Sequence, residues 1–172
     1  MNFFEVVKTR QSIRAFAPRP VEEEKLQTVL EAARRAPSAG NLQAFEIYVI
    51  TRRAALRGLA QASLGQEFVA QAPVVLAFCA HPELSSHKYG RRGASLYSIQ
   101  DATIACTFAH LAATALGLGS VWVGAFDDDA VRKEIGMGPD LVPLALLPIG
   151  YPGETPETTP RRSLSSLIHL IS

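Results

Sequence analysis

The chain has 172 residues, with 17 Lys and Arg against 16 Asp and Glu, 48% hydrophobic residues and 19% charged ones. That length predicts one domain, residues 1–172, able to bury a core without disulfide or metal staples. A formal charge of +1 leaves no electrostatic footprint for a polyanion, so nucleic acid is not an expected partner.

The opening Met1-Asn2-Phe3-Phe4-Glu5 places a charge where a secretory leader needs apolar residues. Residues 2–9, with Asn2 as N-cap, predict a short helix carrying Phe3, Phe4 and Val7 on one side. Pro18 and Pro20 mark a break. Val21 to Arg35 repeats apolar residues at helical spacing (Val21, Leu26, Val29, Leu30, Ala33), with Glu22, Glu23 and Glu24 in the first turn and Pro37 after the end.

Phe45 to Thr51, rich in β-branched and aromatic residues, predicts a strand. Helical patterns follow at 53–63 and 66–71. Pro73 to Ala80 is a continuous apolar run, the pattern of a strand buried on both faces. Residues 84–95 are polar, with Lys88, Arg91 and Arg92, and suggest a long connection or a mobile lid. Residues 96–116 predict the longest helix. It is apolar on nearly all sides, which suits either a central position or half of an oligomer interface.

Gly117 and Gly119 read as its stop. Ser120 to Ala125 predicts a strand, Asp127 to Ile135 a helix with an acidic start, and Val142 to Ile149 a last strand ending at Gly150. Three prolines and the pair Arg161-Arg162 follow, then an apolar end, Leu164 to Ile171. This order predicts helices on both faces of a small sheet, in an α/β or α+β arrangement. Cys79 and Cys106 lie far apart in apolar runs and read as buried thiols of a reducing compartment. His81, His87, His110 and His169 show no HxxxH or HExxH pairing, so no metal is expected. No apolar run reaches membrane-spanning length. The expectation is a soluble, cytoplasmic protein.

Four constellations could carry chemistry. If residues 10–14 are extended, Arg10, Ser12 and Arg14 face one way and offer two guanidiniums and a hydroxyl, a good seat for a phosphate. The same residues, with Gln11, could equally form an ordinary solvated basic turn. Pro37-Ser38-Ala39-Gly40-Asn41-Leu42-Gln43 has the composition of a turn, yet turn chemistry does not call for Gln43. The amides of Asn41 and Gln43 suit a ring with mixed donors and acceptors. Gly117-Leu118-Gly119-Ser120-Val121-Trp122-Val123-Gly124 is not a dinucleotide fingerprint, because its glycines follow a helix and Trp122 stands where the third glycine should be. Gly124, ending an apolar stretch, could let a ligand reach bare backbone. Arg161-Arg162 could add to a phosphate clamp if the tail folds back. No nucleophile elbow and no carboxylate pair stand out, so a bound cofactor is expected to do the chemistry.

In this order the elements resemble the nitroreductase family of flavin mononucleotide (FMN) oxidoreductases. The resemblance rests on Arg10-x-Ser12-x-Arg14-x-Phe16, Ala36-Pro37-Ser38-Ala39-Gly40-Asn41-x-Gln43, Gln66 before Phe68-Val69, and Tyr97-Ser98-Ile99-Gln100-Asp101. It continues through Gly117-Leu118-Gly119-Ser120-x-Trp122-Val123-Gly124 and Pro148-Ile149-Gly150-Tyr151-Pro152, spanning about residues 2–163. It implies an α+β fold with a small mixed sheet flanked by helices, a homodimer built on the long helix, and FMN at the subunit interface. By motif, Arg10, Gln11, Ser12 and Arg14, joined by Arg161 and Arg162, would hold the phosphate and ribityl end. Pro37, Ser38, Ala39, Asn41 and Gln43 would cover the ring from the partner subunit. Gln66 would reach the ribityl chain or the pyrimidine edge, and Val123 and Gly124 would present backbone near the reactive nitrogen.

Three features depart from the family pattern: Ala44 where a proline is frequent, Val123 where larger members carry an acid, and no long helical insertion beside the substrate channel. The implied activity is ping-pong transfer of hydride from NADH or NADPH to a nitroaromatic, a quinone or a similar small acceptor. A flavin enzyme with a dedicated substrate, and a flavin-binding module without turnover, remain the competing readings.

Overall fold

The computed structural model describes residues 1–171. Helix α1 (Phe3–Thr9) opens with a reciprocal cap, in which Asn2 Oδ1 accepts from the Glu5 N–H at 3.1 Å and the Glu5 carboxylate accepts from the Asn2 N–H at 2.8 Å. Helix α2 (Glu23–Arg34) buries Val29 and Ala33. Strand β1 (Phe45–Ile50) leads into α3 (Arg53–Ala62), the short α4 (Phe68–Gln71) and β2 (Val74–Ala80). Helix α5 (Pro82–Arg92) and a π-helical turn, Gly93–Tyr97, run into α6 (Ser98–Ala115). Strand β3 (Gly119–Ser120), α7 (Asp128–Ile135) and β4 (Val142–Gly150) follow, and a short 3-10 turn, Leu164–Ser166, lies in the tail.

The sheet order is β1-β2-β4-β3, and every ladder is antiparallel. The expected mixed sheet is reduced to one parallel contact, the isolated bridge between Ser12 and Ser120. All seven residues of β2 are buried, as its unbroken apolar run predicts. Val74, Leu76 and Phe78 pack with Val29 and Ala33 of α2 and Ala105 and Ala109 of α6. Val75 and Ala77 point the other way, to Leu56 and Leu59 of α3 and Val131 of α7. Each fully buried Leu or Phe contributes about 1.5–3 kcal/mol, so the strand is held from both sides. The architecture is α+β. Small residues on the inner side of α6 (Ala102, Ala105, Cys106, Ala109, Ala113) let it lie close to the sheet, while Ile99 and Phe108 remain exposed on its other side.

Three expectations change. Residues 84–95 are a helix rather than a loop or lid. Pro82 starts it at the first helical position, and Gly90 (φ 54°, ψ −143°) interrupts it near the end. The strand expected over 120–125 shrinks to Gly119–Ser120 plus a single bridge between Val123 and Leu146. The glycine that stops α6 is Gly117, at φ 74°. Gly119 has a different role. A Cβ there would lie 2.8 Å from Ile13 Cγ1, so its bare backbone lets the segment after α1 pack against β3. No helix among the described residues is long and apolar enough to cross a membrane.

Candidate functional site

After α1 the chain runs extended along β3. The Ile13 N–H donates to the Ser120 carbonyl at 3.1 Å, and Phe16 bridges to Pro152. Alternation then buries Ile13 and turns Arg10, Ser12 and Arg14 into a groove of about 780 Å³. Gln11 and, from the tail, Arg161 line the same groove, so the structure brings these five residues together. Arg162 is turned aside: its Nη2 donates to the Ser166 carbonyl at 2.7 Å and does not reach the groove.

Charge in the groove is unbalanced. Partial burial, and then the like charge of the exposed Arg161 guanidinium, lower the Arg10 pKa. Among the described residues, Arg10, Arg14 and Arg161 make no ion pair. Gln11 Oε1 is buried without a hydrogen-bond partner. Two acids, Glu154 and Glu157, line the groove as well; the Glu154 carboxylate accepts from the backbone N–H groups of Arg14 and Ala15, the latter at 3.1 Å. Successive amides aimed at one anion form a nest. The 140-residue separation of these partners leaves no local sequence signal for it.

Beneath the groove sits His110, also missed from sequence. Burial first, then the nearby Arg10 charge, pull its imidazole down to about 4. Its Nε2 and the Ser120 hydroxyl are both buried without partners.

The second cluster is a tight loop before β1, with Ala39–Asn41 in a 3-10 turn. Gly40, Asn41 and Gln43 stand at φ of 57°, 59° and 50°. Ser38 Oγ accepts from the Gln43 N–H at 2.9 Å, and Gln43 Nε2 donates to the Asn41 carbonyl at 2.7 Å. Gln43 therefore closes the loop on itself, which accounts for its place in a turn. This loop does not line the arginine groove. Pro37, Ser38 and Ala39 face a separate cavity of about 520 Å³, bounded by Tyr97, Gln100 and Asp101 of the α6 region.

Gln66 and the 123–124 segment form a third group. Gln66 Nε2 donates to the carbonyls of Ser63 at 2.9 Å and Ala125 at 3.2 Å, tying the turn before α4 to the chain beyond Gly124. The Val123 side chain is buried, and its backbone exchanges two 2.9 Å hydrogen bonds with Leu146. Gly124 is exposed. The nearest atom to a Cβ placed there would be the Trp122 indole nitrogen at 3.2 Å, and the remaining approach to the backbone is open.

The model of the nitroreductase family matches residues 7–67 and 60–151 of this chain, which include the extended segment, the tight loop and the Gly124 region. The chain belongs to the nitroreductase family. It is 33% identical to an NADH dehydrogenase of Thermus thermophilus, over 84% of this chain and 84% of that protein. It is 29% identical to an FMN reductase (NAD(P)H) of Bacillus subtilis, over 96% of this chain and 73% of that one. Among solved structures, nitroreductase A of Vibrio parahaemolyticus superposes with a TM-score of 0.89 at 27% identity. That match covers 99% of this chain and 75% of that one.

Proposed function

We propose that this nitroreductase-family chain is a single-domain, cytoplasmic FMN-dependent NAD(P)H oxidoreductase. It works as a homodimer and reduces nitroaromatics, quinones or similar electron-poor acceptors in two half-reactions. The observation that carries the reading is the groove itself, where the Arg10 and Arg161 guanidiniums repel each other and make no ion pair among the described residues, although Glu154 and Glu157 also line it. Two guanidiniums held in that way accept a phosphate dianion, which replaces their repulsion with charge-assisted hydrogen bonds. The unpartnered Gln11 Oε1 offers an acceptor to a hydroxylated chain leaving that phosphate. The donor set therefore fits FMN.

Within this reading Arg10, Arg14 and Arg161 bind the phosphate and the Ser12 hydroxyl donates to it. Arg162 braces the tail that carries Arg161. Gln66 holds the segment that presents the Val123–Gly124 backbone, and Gly124 leaves room for a ring edge beside it. Pro37, Ser38, Ala39, Asn41 and Gln43 cover the ring from a second copy of the chain. Support for a second copy comes from the separate cavities that the loop and the arginine groove line within one chain. The chemistry a bound flavin supplies is uptake of hydride from a nicotinamide and its delivery to the acceptor. The protein's part is to fix donor and acceptor in turn over one ring face and to keep water away.

The test is the visible spectrum of the purified protein, with and without NADH or NADPH. Acid should release FMN, and one of the nicotinamides should bleach the bound form. Release of FAD, or no flavin uptake after refolding with excess FMN, overturns the reading. Flavin that neither nicotinamide bleaches leaves a binding module instead of an enzyme.

A further inference from the structure

Asp101 is a carboxylate with 2% of its surface exposed, the one Asp or Glu of α6. No cation pairs with it among the described residues. Burying such a group is costly unless hydrogen bonds replace its water. The replacements both come from the tight loop: Oδ1 accepts from the Ala39 N–H at 2.9 Å, and Oδ2 accepts from the Ala44 N–H at 3.3 Å. One carboxylate thus grips the two ends of the segment whose middle holds Gly40, Asn41 and Gln43 in left-handed conformations. Asn41 tolerates that conformation, but for Gln43 it is strained and persists only where the surroundings impose it.

The opposite side is closed as well. The Tyr89 hydroxyl and the Lys88 amine of α5 fill the space where a Gly40 side chain would stand. The loop that carries Ser38, Asn41 and Gln43 is therefore clamped on α6 by one acid and backed by α5.

Building on the FMN reading, we propose that Asp101 is the positioning residue that sets the shape of the ring-covering loop. It acts through the Ala39 and Ala44 amides. The same carboxylate borders the 520 Å³ cavity, so its effect is exerted where the ring would be covered and not at the phosphate. The nearly isosteric Asp101→Asn keeps the side-chain volume but turns an NH2 group toward one of the two loop amides, releasing one end.

The experiment measures dissociation constants of flavin-stripped full-length protein for FMN and for riboflavin, which lacks the phosphate. It also follows amide hydrogen exchange at Ala39, Ala44 and along α6. Asp101→Asn should weaken both flavins by the same factor, tenfold or more, with protection lost at Ala39 and Ala44 and kept in α6. Arg14→Ala should weaken FMN far more than riboflavin. Unchanged affinities, or a loss confined to FMN, overturn the proposal. Protection lost equally along α6 also overturns it, since Asp101 would then be only a core residue. If Asp101→Asn does not fold, Ser38→Ala removes the acceptor of the Gln43 N–H on the same loop and should weaken both flavins alike. In the unmodified protein, solvent-rate exchange at Ala39 and Ala44 contradicts the clamp whatever the variants do. Failure of the unmodified protein to bind either flavin defeats the FMN reading, while the exchange result still decides whether Asp101 holds the loop.

Discussion

At the scale of single residues, the proposed phosphate site predicts a trade of stability for binding in the arginine groove. Arg10 is partly desolvated beside Arg161, so removing it relieves repulsion in the flavin-free protein. Arg10→Ala should leave the flavin-free melting temperature unchanged or raised. It should also cost about 1.5–3 kcal/mol of FMN affinity, the worth of a hydrogen bond to a charged group. Calorimetric titration and a thermal melt on the same sample check both halves. His110 supplies a pH dependence. Its folded pKa of about 4 lies below the unfolded value, so the unfolded chain takes up the proton first as pH falls. The contribution of His110 is then fully present above about pH 6.5 and is lost between there and about pH 4, an amount on the order of 3 kcal/mol. His110→Gln should flatten denaturation midpoints across that window; an unchanged slope would contradict the assignment. The two thiols behave differently. Burial raises Cys79 to about 12 and Cys106 higher still, so neither is a thiolate at neutral pH. A thiol reagent should label neither until the protein unfolds.

At the scale of elements, the approach of the extended segment to β3 depends on Gly119. Gly119→Ala drives a methyl into Ile13, which has no slack because it is buried in turn. We expect a loss of about 1–3 kcal/mol in stability, together with weaker FMN binding as Arg10 and Ser12 shift. A variant with native stability and native affinity would show that this contact is not needed. The sequence carried some of these elements openly and hid others. β2 was legible because every one of its residues is apolar, and α2 because its acids and apolar stripe agree. α5 was hidden by polar residues (Ser85, Ser86, His87, Lys88) and by the break at Gly90. Val121-Trp122-Val123 read as strand because it is a run of β-branched and aromatic residues; the two valines pack inward and Trp122 outward, yet the backbone gains only the Leu146 bridge. In the site, local motifs exposed the arginines and the loop amides. The partners that hold them, Glu154 for the Arg14 backbone and Asp101 for the loop, are set only by tertiary packing.

At the scale of the whole molecule, several large apolar side chains face outward, as the proposed homodimer requires. Phe3 and Phe4 of α1, Phe108 of α6, and the tail residues Leu164, Leu170 and Ile171 are all exposed. Patches of this kind mark association surfaces. Because Phe108 is 37% exposed and lies outside the buried face of α6, Phe108→Gln should fold and shift sedimentation from dimer toward monomer. A stable monomer of the unmodified chain at micromolar concentration would contradict the homodimer.

The separate cavities of the arginine groove and the tight loop make a shared site the central claim. Its most direct measurement mixes Arg14→Ala subunits with Asn41→Ala subunits, at an FMN concentration where each alone is expected to have lost activity, and assays NAD(P)H-dependent reduction after exchange. If the arginines of one copy hold the flavin and the loop of the other covers it, each mixed dimer carries one doubly damaged site and one intact site. Activity then rises toward one native site per mixed dimer. If both clusters serve the flavin of their own chain, every site stays damaged, and a mixture no more active than its parents would contradict the shared site.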